Sequence, residues 1–191
     1  MTQQEKENEI QHTLKGKKIT AVHYYVMNRA GYFYPNQPEQ LVDAAVELTL
    51  DNGNVFSFGM NFRFVAIDSI VESYGAFVKA YNRDLPFLKM EVNTDEKWAP
   101  VIGKEINQVY VCYNWFEDLE GQKNYIPQDI ELILDDNLYL AFCATAYAID
   151  EDGISILGPD SEGEILVLFD EEDTKFFKRG RYYKPAEMDL E

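Results

Sequence analysis

Apolar and polar positions alternate along much of this chain. In Val46-Glu47-Leu48-Thr49-Leu50 the apolar side chains recur every second residue, which puts Val46, Leu48 and Leu50 on one face of a strand. Alternation or a β-rich run predicts strands at 18–27, 44–50, 54–62, 87–92, 105–114, 129–134, 138–148, 154–157 and 164–169. Asp51-Asn52-Gly53-Asn54 joins two of these runs and predicts a hairpin, because Asn and Gly tolerate positive φ. Asp135-Asp136-Asn137 predicts a second tight turn and Asp150-Glu151-Asp152-Gly153 an acidic third.

The period changes in two places. Residues 3–14 are charged and helix-favouring, with Ile10 and Leu14 four apart, and Gly16 ends that segment. Ile67, Ile70, Val71, Tyr74, Phe77, Val78 and Tyr81 fall on one helical face. The spacing favours a helix over 67–81, which Gly75 weakens by about 1 kcal/mol; the rival reading is strand, because Ser73-Tyr74-Gly75-Ala76-Phe77-Val78 resembles the strand-like Ser161-Glu162-Gly163-Glu164-Ile165-Leu166. Segment 28–38, with its glycine and two prolines, reads as a loop, and so does the aromatic and acidic segment 115–128. Residues 94–100 read as a linker that Trp98 pins to the core.

The pattern then returns. Leu14-Lys15-Gly16-Lys17-Lys18-Ile19-Thr20-Ala21-Val22 matches Val101-Ile102-Gly103-Lys104-Glu105-Ile106-Asn107-Gln108-Val109, 87 residues later. Val46-Glu47-Leu48-Thr49-Leu50-Asp51-Asn52 matches Ile130-Glu131-Leu132-Ile133-Leu134-Asp135-Asp136, 84 residues later. Two matches in the same order predict an internal duplication. Repeat 1 spans 14–93 and repeat 2 spans 101–174; 1–13 is a leading helix or tail and 175–191 a basic, aromatic tail. The expected fold is β-rich α+β: two antiparallel meanders related by duplication, packed together with one or two helices.

Composition allows a core, with 46% hydrophobic residues in 191. Charge changes the picture more. The net charge of −17 divides into −4 for residues 1–96 and −13 for 97–191. Such a field steers a basic protein partner and repels nucleic acid. Lys175 to Lys184 interleaves basic and aromatic residues in a way that suits single strands, but the long-range field opposes that use. The expected contact of this tail is the chain's own acidic face, with Phe177 and Tyr183 as anchors. No apolar run approaches the roughly 20 residues that span a bilayer, and the polar first residues carry no leader-like h-region. The expectation is a cytoplasmic protein that binds neither nucleic acid nor membrane.

Candidate chemistry is sparse. Cys112 and Cys143 belong to no C-x-x-C pair and only two histidines exist, so no zinc cluster, other metal or cofactor is expected. Both cysteines are expected to be buried, reduced thiols; a disulfide would need them on adjacent strands. His23 lies mid-strand, has Tyr110 as its counterpart and is expected to pack. Asp150-Glu151-Asp152-Gly153 misses the spacing of a calcium loop, and there is no phosphate-binding glycine loop or nucleophile elbow. Asp51/Asn52 and Asp135/Asp136 are explained by turn geometry.

The leading expectation is a non-enzymatic binding protein: an acidic inhibitor or immunity-type protein that neutralises a basic partner such as a nuclease toxin. Its expected partner-binding residues are Glu117, Asp118, Glu120, Asp150, Glu151, Asp152, Glu171, Glu172 and Asp173, with Trp115 and Phe116 as anchors. A second expectation is a small-ligand or carbohydrate module that uses Tyr32, Phe33, Tyr34, Trp115 and Tyr125. A third is a carboxylate-based hydrolase.

Overall fold

Thr2 starts the first helix. Its hydroxyl accepts the Glu5 N–H (3.2 Å) and the Glu5 carboxylate accepts the Thr2 N–H (2.8 Å), a capping box that fixes α1 at Gln3–Leu14. A computed structural model describes residues 2–27, 40–60, 67–80, 87–117, 123–150, 153–159 and 164–179. After α1 come β1 (Ile19–Met27), β2 (Gln40–Val42), β3 (Ala45–Leu50), β4 (Val55–Met60) and β5 (Ile67–Ile70). Next are α2 (Tyr74–Ala80), β6 (Phe87–Glu91), β7 (Ile106–Glu117) and β8 (Lys123–Leu134). The last elements are β9 (Tyr139–Asp150), β10 (Gly153–Pro159), β11 (Glu164–Leu168) and α3 (Glu171–Arg179).

Among the described residues the strands form two antiparallel sheets. One has the order β5-β4-β3-β1-β6; the other has the order β2-β11-β9-β8-β7, with β10 also paired to β9. The first half therefore lends β2 to the second sheet, where Leu41 faces Leu166 across the ladder.

The pairing registers of the two sheets correspond position for position. His23 pairs with Glu47 and Tyr24 with Val46; Tyr110 pairs with Glu131 and Val111 with Ile130. Val46 pairs with Phe58, and Ile130 with Phe142. Each sheet carries a bulge at the same place, between Ile19 and Ala21 and between Ile106 and Gln108. The extra residue reverses the alternation, so Ile19 and Val22, like Ile106 and Val109, all reach the core.

Two glycines join the halves. The Gly16 N–H donates to the Ile106 carbonyl (2.8 Å) and the Gly103 N–H to the Ile19 carbonyl (2.7 Å). Ile106 returns a bond to Lys17 (2.8 Å) and Ile19 one to Lys104 (3.1 Å). Both glycines sit at positive φ, 71° and 84°, where a Cβ is strained.

The inner faces of the two sheets share one core. It includes Val22, Tyr24, Leu48, Phe56 and Phe58 from the first sheet and Val109, Ile130, Leu132, Leu140 and Phe142 from the second. Ile10 and Leu14 of α1 also enter it. Trp98, fully buried, donates its indole N–H to the Tyr24 hydroxyl (2.6 Å) and to Gln40 (3.2 Å), which pins the linker as expected. The outer faces carry separate clusters. Tyr25, Ala45, Ile70, Tyr74, Phe77 and Val78 form one under α2; Tyr139, Ala141, Cys143, Leu166 and Leu168 form the other, beside Phe177 of α3.

Three expectations need correction. Residues 67–81 are not one helix: 67–70 is strand β5 and the helix begins at Tyr74. Pairing with β4 (Ser57 with Ile70, Met60 with Ile67) overrides the period, and Val71 is left 40% exposed. The periodicity still found a shared cluster, since Ile70, Tyr74, Phe77 and Val78 pack together. Segment 115–128 is not a loop throughout. β7 and β8 continue as a long hairpin that pairs Trp115 with Tyr125 and Glu117 with Lys123. Alternating aromatics are good strand formers and extend the ladder. The tail begins inside α3, because Lys175 to Arg179 are helical. Segment 28–38 and residues 180–191 lie outside the described residues.

Candidate functional site

Glu47, on the outer face of the first sheet, accepts four hydrogen bonds. Val46 and Leu48 point into the core, so the strand's alternation turns Glu47 outward, beneath the start of α2. It is only 1% exposed. Its Oε2 accepts from the Tyr25 hydroxyl (3.0 Å), the Ser73 hydroxyl (3.0 Å) and the Tyr74 N–H (2.9 Å). Its Oε1 accepts from Lys89 Nζ of β6 (2.7 Å) and lies 3.7 Å from His23 Nδ1, which has no hydrogen-bond partner among the described residues.

Burial alone would raise the Glu47 carboxyl, but Lys89, Ser73 and the Tyr74 N–H outweigh it and hold the group below the usual carboxylate range. Burial pulls the Lys89 ammonium down, yet Glu47 holds it above its ordinary value. Burial, then Lys89, holds the His23 imidazole below its ordinary value, against the pull of Glu47 and Glu91. At neutral pH the cluster is thus an ion pair beside a neutral imidazole. A carboxylate with this many donors is a weak base; chemically the arrangement anchors.

The cluster belongs to one half. The counterparts of His23, Tyr25 and Glu47 are Tyr110, Cys112 and Glu131, and Glu131 accepts from the Tyr139 hydroxyl of β9 (2.6 Å). Sequence reasoning missed Glu47. Two signals were present: its return as Glu131, and its place on a strand face that a neighbouring helical segment would cover.

The expected acidic residues separate into groups. Glu171, Glu172 and Asp173 are all exposed on the first turn of α3. The Asp170 carboxylate caps that turn, accepting the Glu172 N–H (2.7 Å) and the Asp173 N–H (3.1 Å). Phe176, on the same helix, is 82% exposed, and an open groove is lined by Glu172, Asp173, Lys175 and Phe176. α3 packs on β9, β10 and β11, so it sits against the hairpin in which Asp150 pairs with Gly153. Trp115, Phe116 and Glu117 lie on the far part of the β7–β8 hairpin, with Tyr125 opposite Trp115. Asp118, Glu120, Glu151, Asp152, Tyr32, Phe33 and Tyr34 lie outside the described residues.

The two cysteines are not on adjacent strands. Cys112 pairs with Asp129 on one side of β8 and Cys143 pairs with it on the other. Two strand spacings are about 10 Å, beyond the roughly 7 Å between Cα atoms that a disulfide spans. Cys143 is buried and Cys112 only partly so. Among the described residues no group of three or more His, Cys, Asp or Glu side chains is placed to hold a metal ion, and no helix is long and apolar enough to cross a membrane. Comparison with protein families, with curated proteins and with solved structures finds no match for this chain.

Proposed function

We propose that this chain is a non-enzymatic binding protein, an acidic inhibitor of the immunity type, that occludes a basic protein partner such as a nuclease toxin. The observation that carries the reading is α3. Three exposed carboxylates and a nearly fully exposed phenylalanine share one short helix, on a chain of net charge −17. Charge steers the encounter and the aromatic ring supplies apolar area to bury. Asp150 ends β9, in the sheet on which α3 packs. The β7–β8 hairpin, in which Trp115 pairs with Tyr125, is the second contact of this proposal. The proposed setting of the encounter is the cytoplasm.

We also infer that the two halves descend from one duplicated unit. The shared register, the paired bulges and the reciprocal glycine bonds support that origin. On this reading the unit kept its sheet twice, while α3 and the Glu47 cluster specialised separately.

The test is capture of a basic protein from the native cell's lysate by the full chain. Reversal of Glu171, Glu172 and Asp173 to lysine should abolish that capture. Equal retention by the reversed variant overturns the site.

A further inference from the structure

Among the described residues, polar ties from the start of α2 to the sheet converge on a few atoms. Ser73 and Tyr74 donate to one oxygen of Glu47, and the Tyr25 hydroxyl donates to that same oxygen. Tyr25 in turn accepts the Gly75 N–H (3.3 Å), and a Cβ on Gly75 would stand 3.2 Å from that hydroxyl. Ser57 of β4 holds the Glu72 carbonyl (2.8 Å). α2 itself has seven residues, well below the roughly 12–15 that sustain an isolated helix in water.

Beneath it lies a cluster distinct from the main core. Tyr74 packs on Tyr25 (5.2 Å between centroids), Phe77 (6.0 Å) and Phe87 (5.9 Å), and the Tyr74 hydroxyl has no hydrogen-bond partner among the described residues. None of the inter-sheet residues Leu48, Phe56, Phe58 or Phe142 belongs to that cluster.

We infer that α2 is a detachable strap, held over the first sheet by the charged Glu47 carboxylate, and that neutralising Glu47 releases α2 while the two-sheet core stays folded. The groups that face Glu47 set the direction of the effect. From β1 these are His23 and Tyr25, from β6 Lys89 with Glu91 nearby, from the residue before α2 Ser73, and from α2 Tyr74; Asp43 lies near Tyr74. Lys89 is 43% exposed and turns to water when its partner loses charge. Ser73 and the Tyr74 N–H then face a weaker acceptor, and the short helix has little else to hold its first turn. Release lays bare Tyr25 and Ala45 on the sheet and the ring of Tyr74.

Hydrogen exchange on the full chain at pH 7 tests this. In Glu47→Gln, amides of residues 74–80 should exchange at least about tenfold faster than in the parent and lose their protection, while amides of 46–50, 56–58 and 140–144 stay protected. Ser73→Ala keeps the ion pair and removes one tie, so it should give a smaller acceleration confined to the same segment. That variant decides the matter if Glu47→Gln does not fold. Unchanged exchange in 74–80, or loss of protection in both sheets as well, overturns the inference.

Discussion

The rings of Phe58 and Phe142 hold the same register position in the two sheets and meet in the shared core, 6.3 Å between centroids. Each is 1% exposed. Phe142→Ala should cost about 4 kcal/mol in chemical denaturation, and Phe58→Ala a similar amount. The double variant should lose less than the two single costs together, because both side chains line one cavity. Full additivity would place the rings in separate environments.

Glycines should divide by cause. A Cβ on Gly59 would meet the Ala45 Cβ at 2.4 Å and the Ala44 carbonyl oxygen at 2.9 Å. Gly59→Ala should therefore cost about 1–3 kcal/mol by overpacking. At Gly16 nothing lies within 4 Å, but φ is +71°, so Gly16→Ala should cost about 1 kcal/mol through backbone strain alone. The register counterpart of Gly59 is Cys143, where a side chain is already accommodated. Thermal melts compare the two variants.

Acid should weaken the fold partly through Glu47. Its carboxyl is held below the ordinary range when folded, so its contribution is present above about pH 4.3 and is lost as pH falls through the folded value. Glu47→Gln should cost about 2–3 kcal/mol at pH 7, with the gap to the parent closing toward pH 3. Denaturation at a series of pH values reads this directly; a gap independent of pH would contradict it.

His23 works over a different window. Its folded value is lowered, so the unfolded chain binds the proton more readily and stability rises with pH up to about 6.5. His23→Gln should flatten the stability curve just below that pH. The same pH series on this variant checks the sign.

Strand alternation, the Asn-Gly turn and the returned motif made most of both sheets legible, because two-residue periodicity and turn chemistry are local. The Val46-Leu48-Leu50 face and the Trp98 pin were read correctly for that reason. What failed was set by partners distant in sequence. Ile67–Ile70 became strand because β4 offers an open ladder, and Trp115 and Tyr125 pair through a hairpin whose length no local signal fixes. The loan of β2 to β11 was invisible for the same reason. Glu47 looked like an ordinary outward strand residue until α2 covered it. The α3 carboxylates were legible as charge, but their arrangement on a helix with Phe176 was not.

Affinity capture by the full chain from its native lysate, eluted stepwise with salt and run beside the Glu171→Lys, Glu172→Lys, Asp173→Lys variant, tests the central claim most directly. The account predicts one stoichiometric basic protein, released at moderate salt and absent from the variant. Capture of no basic protein, or its equal retention by the variant, would contradict it.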